Sequence, residues 1–234
     1  MPWRKAGSSL NTEQRRVLDL QPVVERADWL LDLHSMHADG PPLGLTGLMP
    51  HHARHAADWG APEILVADAG HAAGTRMRDH GRFARADDHQ AVALLVECGW
   101  HGARSSRTVA LDVMHRFLVA SRCLEAADLP RGWRLEAGAQ ADAAFASVLA
   151  AETAPRPARL LQVTQAVTVR EGARPSFTRE WNTGEVVPQA GTVIGHDGQE
   201  AVRTPYDNCV LIMPSLAHAT AGATMVRLAR PYTA

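Results

Sequence analysis

The feature that most constrains this chain is a set of three short apolar runs, Trp29–Leu33, Glu63–Ala67 and Ala91–Val96, separated by segments of helical character. Runs of this length and composition suit strands buried inside a sheet. Residues 12 to 27 read as a helix, with Asn11 or Thr12 as its N-cap and Pro22 bending or ending it. Pro50 to Trp59 reads as a second helix. From Ser106 to Leu118, the apolar residues Val109, Val113, Phe117 and Leu118 recur at helical spacing. A Gly/Pro-rich loop is expected at 40–44, and a Gly- and Arg-rich loop at 68–85. Strands alternating with helices predict an α/β fold with a mostly parallel sheet covered on both faces.

The pattern changes after about residue 150. An Ala-rich helix at 138–151 gives way to a linker at 154–157 (Ala-Pro-Arg-Pro), and Leu161–Val169 then alternates with period two. Short strand-like pieces, separated by Gly184, Gly191, Gly195, Gly198, Pro205 and Gly222, continue to the end. This predicts two domains: an α/β domain over 1–152 and a small all-β domain over 158–234.

Composition excludes several function classes. The formal net charge is −1 over 234 residues, and the arginines are scattered with no basic run. Electrostatic recognition of nucleic acid or of a membrane surface is therefore not expected. Cys98, Cys123 and Cys209 are odd in number and far apart, which argues against a disulfide framework. No apolar leader and no stretch long enough to span a bilayer occurs, so the expected compartment is the cytoplasm. The segments Gly191–Gly198 and Thr204–Pro214 look like a biotinyl- or lipoyl-type barrel. Such carriers attach their cofactor to a lysine, and Lys5 is the only lysine in the chain. A covalent carrier role is excluded, leaving the β region as a lid or as a contact in a homo-oligomer.

Three places carry candidate chemistry. His34 follows the first apolar run, where an open α/β sheet gathers ligands beyond its strand ends. It reads either as a zinc ligand or as a histidine bonded to a neighbouring loop. Glu97 closes the third run, where a carboxylate is costly unless it is used or paired. It reads as the general base of a zinc site or as the partner of a nearby arginine. The loop Asp68-Ala69-Gly70-His71 with Gly74-Thr75-Arg76 has the character of a substrate-binding loop, Arg76 being suited to a substrate carboxylate. His51 and His55, four apart on a helix, have no third ligand with them and read as an exposed polar face.

Taken together and in order, these pieces resemble the succinylglutamate desuccinylase/aspartoacylase family, which is related to zinc carboxypeptidases. The resemblance rests on DLHSM at 32–36, PPL at 41–43, DAGH and GTR within 68–76, VECGWH at 96–101 and TPYDNCVLIMP at 204–214. It implies a carboxypeptidase-like sheet flanked by helices, and a zinc-dependent hydrolase that removes an acyl group from an N-acyl amino acid. It also implies Zn2+ as cofactor, with His34 as one metal ligand and Glu97 as the catalytic glutamate. Arg76 and His71 would lie at the substrate, and Tyr206 of the β region would reach the mouth of the site.

The sequence departs from the family at one point. The family's HxxE motif, which supplies a His and a Glu ligand, has no counterpart before His34. The resemblance therefore implies an N-terminally truncated domain with impaired activity, whose other ligands come from elsewhere or from His37, His71 or His101. The alternative is a catalytically silent relative acting as a binding or regulatory subunit.

Overall fold

The computed structural model describes residues 10–60, 62–70, 74–125, 158–217 and 219–232. Helix α1 (Thr12–Arg26) begins at Asn11 with a reciprocal capping box. The Gln14 amide donates to Asn11 Oδ1 at 2.8 Å, and the Asn11 amide donates to Gln14 Oε1 at 3.0 Å, so two orphan donors are satisfied at once. Pro22 does not end the helix. It is exposed, so the carbonyl that its missing N–H would have served faces water.

Strand β1 (Trp29–Met36) is longer than the apolar run that signals it, and its last residues include His34. Strand β2 (Leu43–Leu45) lies where a loop is expected. Its centre, Gly44, explains the miss: a Cβ there would meet Leu65 Cδ2 at 2.7 Å and Leu94 Cδ1 at 3.1 Å. Close packing of neighbouring strands selects glycine here, against the propensity signal. Helix α2 (Pro50–Trp59) has the bounds read from the sequence, with Pro50 in its first turn and Gly60 closing it at φ 72°. Strands β3 (Ile64–Ala67) and β4 (Val92–Trp100) follow, then helix α3 (Arg104–Ala120).

Every described element after residue 158 is a strand: β5 (Arg159–Thr168), β6 (Pro175–Phe177), β7 (Val186–Val187), β8 (Val193–Asp197), β9 (Glu200–Arg203), β10 (Cys209–Ile212) and β11 (Thr224–Pro231). Among the described residues, one eight-stranded sheet runs in the order β1-β4-β2-β3-β5-β11-β10-β7, and β6-β8-β9 form a second. The large sheet is mixed. The β1–β4, β2–β3 and β3–β5 ladders are parallel, whereas β2–β4 and the ladders beyond β5 are antiparallel. Strand β5 joins the halves, hydrogen-bonding to β3 on one side and β11 on the other. The expected Ala-rich helix at 138–151 and the linker at 154–157 lie outside the described residues.

Alternation along the strands assigns the two faces. Leu65, Val92, Leu94 and Val96 pack with Ala56 and Trp59 of α2 and Val113 of α3. On the other face Leu43, Leu45, Ile64, Val66 and Leu95 pack together, while Ala91 and Ala93 meet Leu30 and Phe83. A third cluster, including Ile194, Leu211, Met225 and Leu228, joins the small sheet to the large one. One expectation fails here. His51 is buried, not part of an exposed polar face, and so is its neighbour His52. His51 Nε2 lies 3.0 Å from the Ala91 carbonyl, and the His55 ring meets Trp29 edge-on at 5.5 Å. The apolar residues that place α2 on the sheet carry the histidines in with them.

Candidate functional site

Strands β1 and β4 run parallel with His34 opposite Glu97 in register, so the ladder itself places the two strongest sequence candidates side by side. Both residues lie within their strands, each one position beyond where its apolar run stops. His34 is exposed, and its Nε2 lies 2.9 Å from Asp32 Oδ1. Glu97 is only 8% exposed, and its Oε2 is buried with no hydrogen-bond partner. Burial pushes its carboxyl above the usual range, while the positive fields of His34, Arg76 and His101 oppose that shift. A carboxyl so placed holds its proton more readily than an ordinary one, a property that a general acid–base group can use.

Charged side chains gather behind this pair. Asp68, buried at the end of β3, is 3.3 Å from Arg76 Nη1 and 3.2 Å from Arg227 Nε. Its backbone carbonyl accepts a hydrogen bond from Arg78 Nη2 at 3.0 Å. Arg78 is completely buried and lies 3.6 Å from Asp79. Desolvation pulls its pKa down to about 10, the nearby carboxylates resisting. Arg76 contributes to the positive field at Glu97 but already shares the Asp68 carboxylate with Arg227. Sequence reading missed Arg227. Its signal is an arginine inside the apolar stretch Met225–Ala229 of β11, where an unpaired charge would be costly.

A cleft of about 820 Å3 adjoins this cluster, running from Met36 and His37 past Gly70 to Arg227 and Met213. Tyr206 does not line it. Its hydroxyl is 2.7 Å from Thr164 Oγ1, and its ring packs against the third core cluster. His71 lies outside the described residues. Close to the same strand end, His101 Nδ1 is 2.6 Å from Ser35 Oγ, and its ring meets that of His37 edge-on at 4.4 Å. Even so, among the described residues no three His, Cys, Asp or Glu side chains converge as a metal site requires. These residues alone do not fit a catalytic zinc, which takes three protein ligands and a water.

No family model matches the sequence, and no curated protein matches it. Solved structures do match the fold. Succinylglutamate desuccinylase from Vibrio parahaemolyticus superposes with a TM-score of 0.60 at 15% identity, over 99% of this chain and 64% of its own. A succinylglutamate desuccinylase/aspartoacylase from Rhodobacter sphaeroides gives 0.58 at 16% identity, over 98% and 66%. The product-bound ectoine utilization protein EutE (DoeB) from Ruegeria pomeroyi gives 0.57 at 15%, over 96% and 65%. The chain thus shares the fold of these structures and spans about two thirds of their length.

Proposed function

From this shared fold and the Glu97 environment, we propose that the chain carries the acid–base half of a deacylase acting on small N-acyl amino acids. The observation that carries the proposal is the Glu97 carboxylate, buried on an apolar strand, unpartnered at Oε2 and opposite His34. In hydrolysis of the amide, Glu97 takes a proton from the attacking water and returns it to the leaving nitrogen. Its elevated proton affinity suits the second step as well as the first. Arg76 supplies positive charge beside the reacting groups and a partner for a substrate carboxylate. His71 belongs to the proposal as a substrate contact on the resemblance alone.

Zinc, when bound in a hydrolase of this kind, polarises the scissile carbonyl and acidifies its water. His34 is the described residue placed to help hold it, and the remaining ligands must come from outside the described residues. Turnover by the chain itself is therefore expected to be low.

Steady-state hydrolysis of a panel of N-acyl amino acids, with zinc supplied, tests the proposal. Glu97→Gln should lower kcat by about 10²-fold or more with little change in KM. Equal turnover by wild type and Glu97→Gln, or no turnover of any N-acyl amino acid, sinks the proposal. Zinc content beside a His34→Ala control checks the metal independently: retention of the wild-type content in the variant removes His34 from the site.

A further inference from the structure

The cleft beside Glu97 has a lining of uneven chemistry. Strands β5 and β11 form one wall, with Ala166 opposite Arg227 and Thr168 opposite Thr224 in the antiparallel ladder. Met36, Met213, Pro214 and Ala223 supply apolar surface. Arg227 is the lining residue with a permanent charge, and it is 7% exposed. The charges behind it do not balance within the pairs. Asp68 is shared between Arg76 and Arg227, while Arg78 has Asp79. Arg227 thus has only a shared carboxylate, and Glu97, which also acts on it, lies on a different strand, so a substrate carboxylate in the cleft would give this guanidinium a partner of its own. Met213 adds a second observation. It adopts φ 50°, a left-handed conformation costly to a side chain of this size, and the Thr183 hydroxyl accepts its backbone N–H at 3.1 Å. Such strain persists where the surrounding structure enforces it, and it clusters at ligand sites.

Resting on the deacylase reading, we infer that this cleft takes the amino-acid part of the substrate, with Arg227 in place of Arg76 holding its single carboxylate and the Met36–Met213–Pro214–Ala223 surface holding an apolar side chain. A dicarboxylic amino acid fits worse, because its second carboxylate would lie against methionine, proline and alanine, and Arg76 does not line the cleft to meet it.

The test is calorimetric titration of the full chain with N-acetyl-L-leucine, N-acetyl-L-leucinamide and N-acetyl-L-aspartate, which needs no turnover. N-acetyl-leucine should bind about tenfold or more tightly than the other two, since a charge-assisted contact or a desolvated charge separates them. Arg227→Met should erase the preference for acid over amide. If that variant fails to fold, Ala166→Phe, at an exposed position on the cleft wall, should block N-acetyl-leucine while leaving Arg227 in place. Equal binding of acid and amide, tighter binding of N-acetyl-aspartate, absence of binding, or indifference to Ala166→Phe would each overturn the inference. Binding in this order without hydrolysis would instead remove the deacylase reading and leave the anion cleft standing.

Discussion

Two groups of buried titratable side chains are kept inside the fold by opposite means. Around Asp68 the guanidinium groups of Arg76, Arg78 and Arg227 remain charged, and carboxylates or a backbone carbonyl meet them within 3.6 Å. On α2, His52 is 1% exposed, and neither of its ring nitrogens makes a hydrogen bond. Arginine cannot shed its proton at any ordinary pH, so burial forces it to be paired. Histidine can, so burial simply leaves it neutral, its pKa pushed down to about 4 by desolvation and by the nearby charge of His51. Glu97 lies between these cases: a buried carboxylate near cations but short of a partner. That intermediate position is why it, and not the more numerous arginines or histidines, is the group to which acid–base chemistry is assigned.

The largest test of this contrast is Arg78→Met. Removing a fully buried guanidinium strands Asp79 and the Asp68 carbonyl, and urea unfolding should show a loss of about 3–5 kcal/mol. Adding Asp79→Asn should recover part of that loss. If the double variant is no better than the single one, the pairing argument fails and packing alone explains the cost.

Acid should expose the histidine side of the comparison. The folded-state pKa of His52 lies below its ordinary value of 6.5, so the unfolded chain binds more protons between pH 6.5 and about 4. Its contribution is therefore complete above pH 6.5 and falls away as pH drops towards 4, a loss of about 3 kcal/mol. In His52→Leu this part of the pH dependence should vanish from denaturation curves. A variant with the wild-type acid slope would place the titrating group elsewhere.

Glu97 should give the smallest effect and the opposite sign. Its folded pKa is raised by burial, so the protonated form favours folding at low pH and that advantage is lost as pH climbs through the folded value. Glu97→Gln, which needs no proton, should gain on wild type in thermal melts as pH rises from 4 to 8. Parallel melting curves over that range would show the carboxylate to be effectively solvated.

Much of the candidate site was legible in the sequence because it lies next to strong periodic signals. His34 and Glu97 each follow an apolar run of strand length, and parallel pairing of those runs puts them in register. Arg76 was legible as a loop cation near the same sheet edge. Strand β2 was hidden, because three residues centred on a glycine carry no pattern, and only contact with Leu65 and Leu94 explains the glycine. Arg227 was hidden because it sits about 160 residues from Asp68 in the chain, and nothing local announces an ion pair between them.

The sequence by itself determined the alternation of strands and helices, the placing of α2 between Pro50 and Gly60, and the exclusion of a covalent carrier. Each follows from a short-range rule of spacing, capping or residue chemistry. Tertiary structure alone decided that β5 carries the large sheet from β3 across to β11, that the α2 histidines turn inward, and that Arg227 and Asp68 meet beside a cleft. The physical reason is common to all three. Burial, strand partnership and charge pairing are properties of residues distant in the chain, and their free energies exist only once the sheet has brought those residues together.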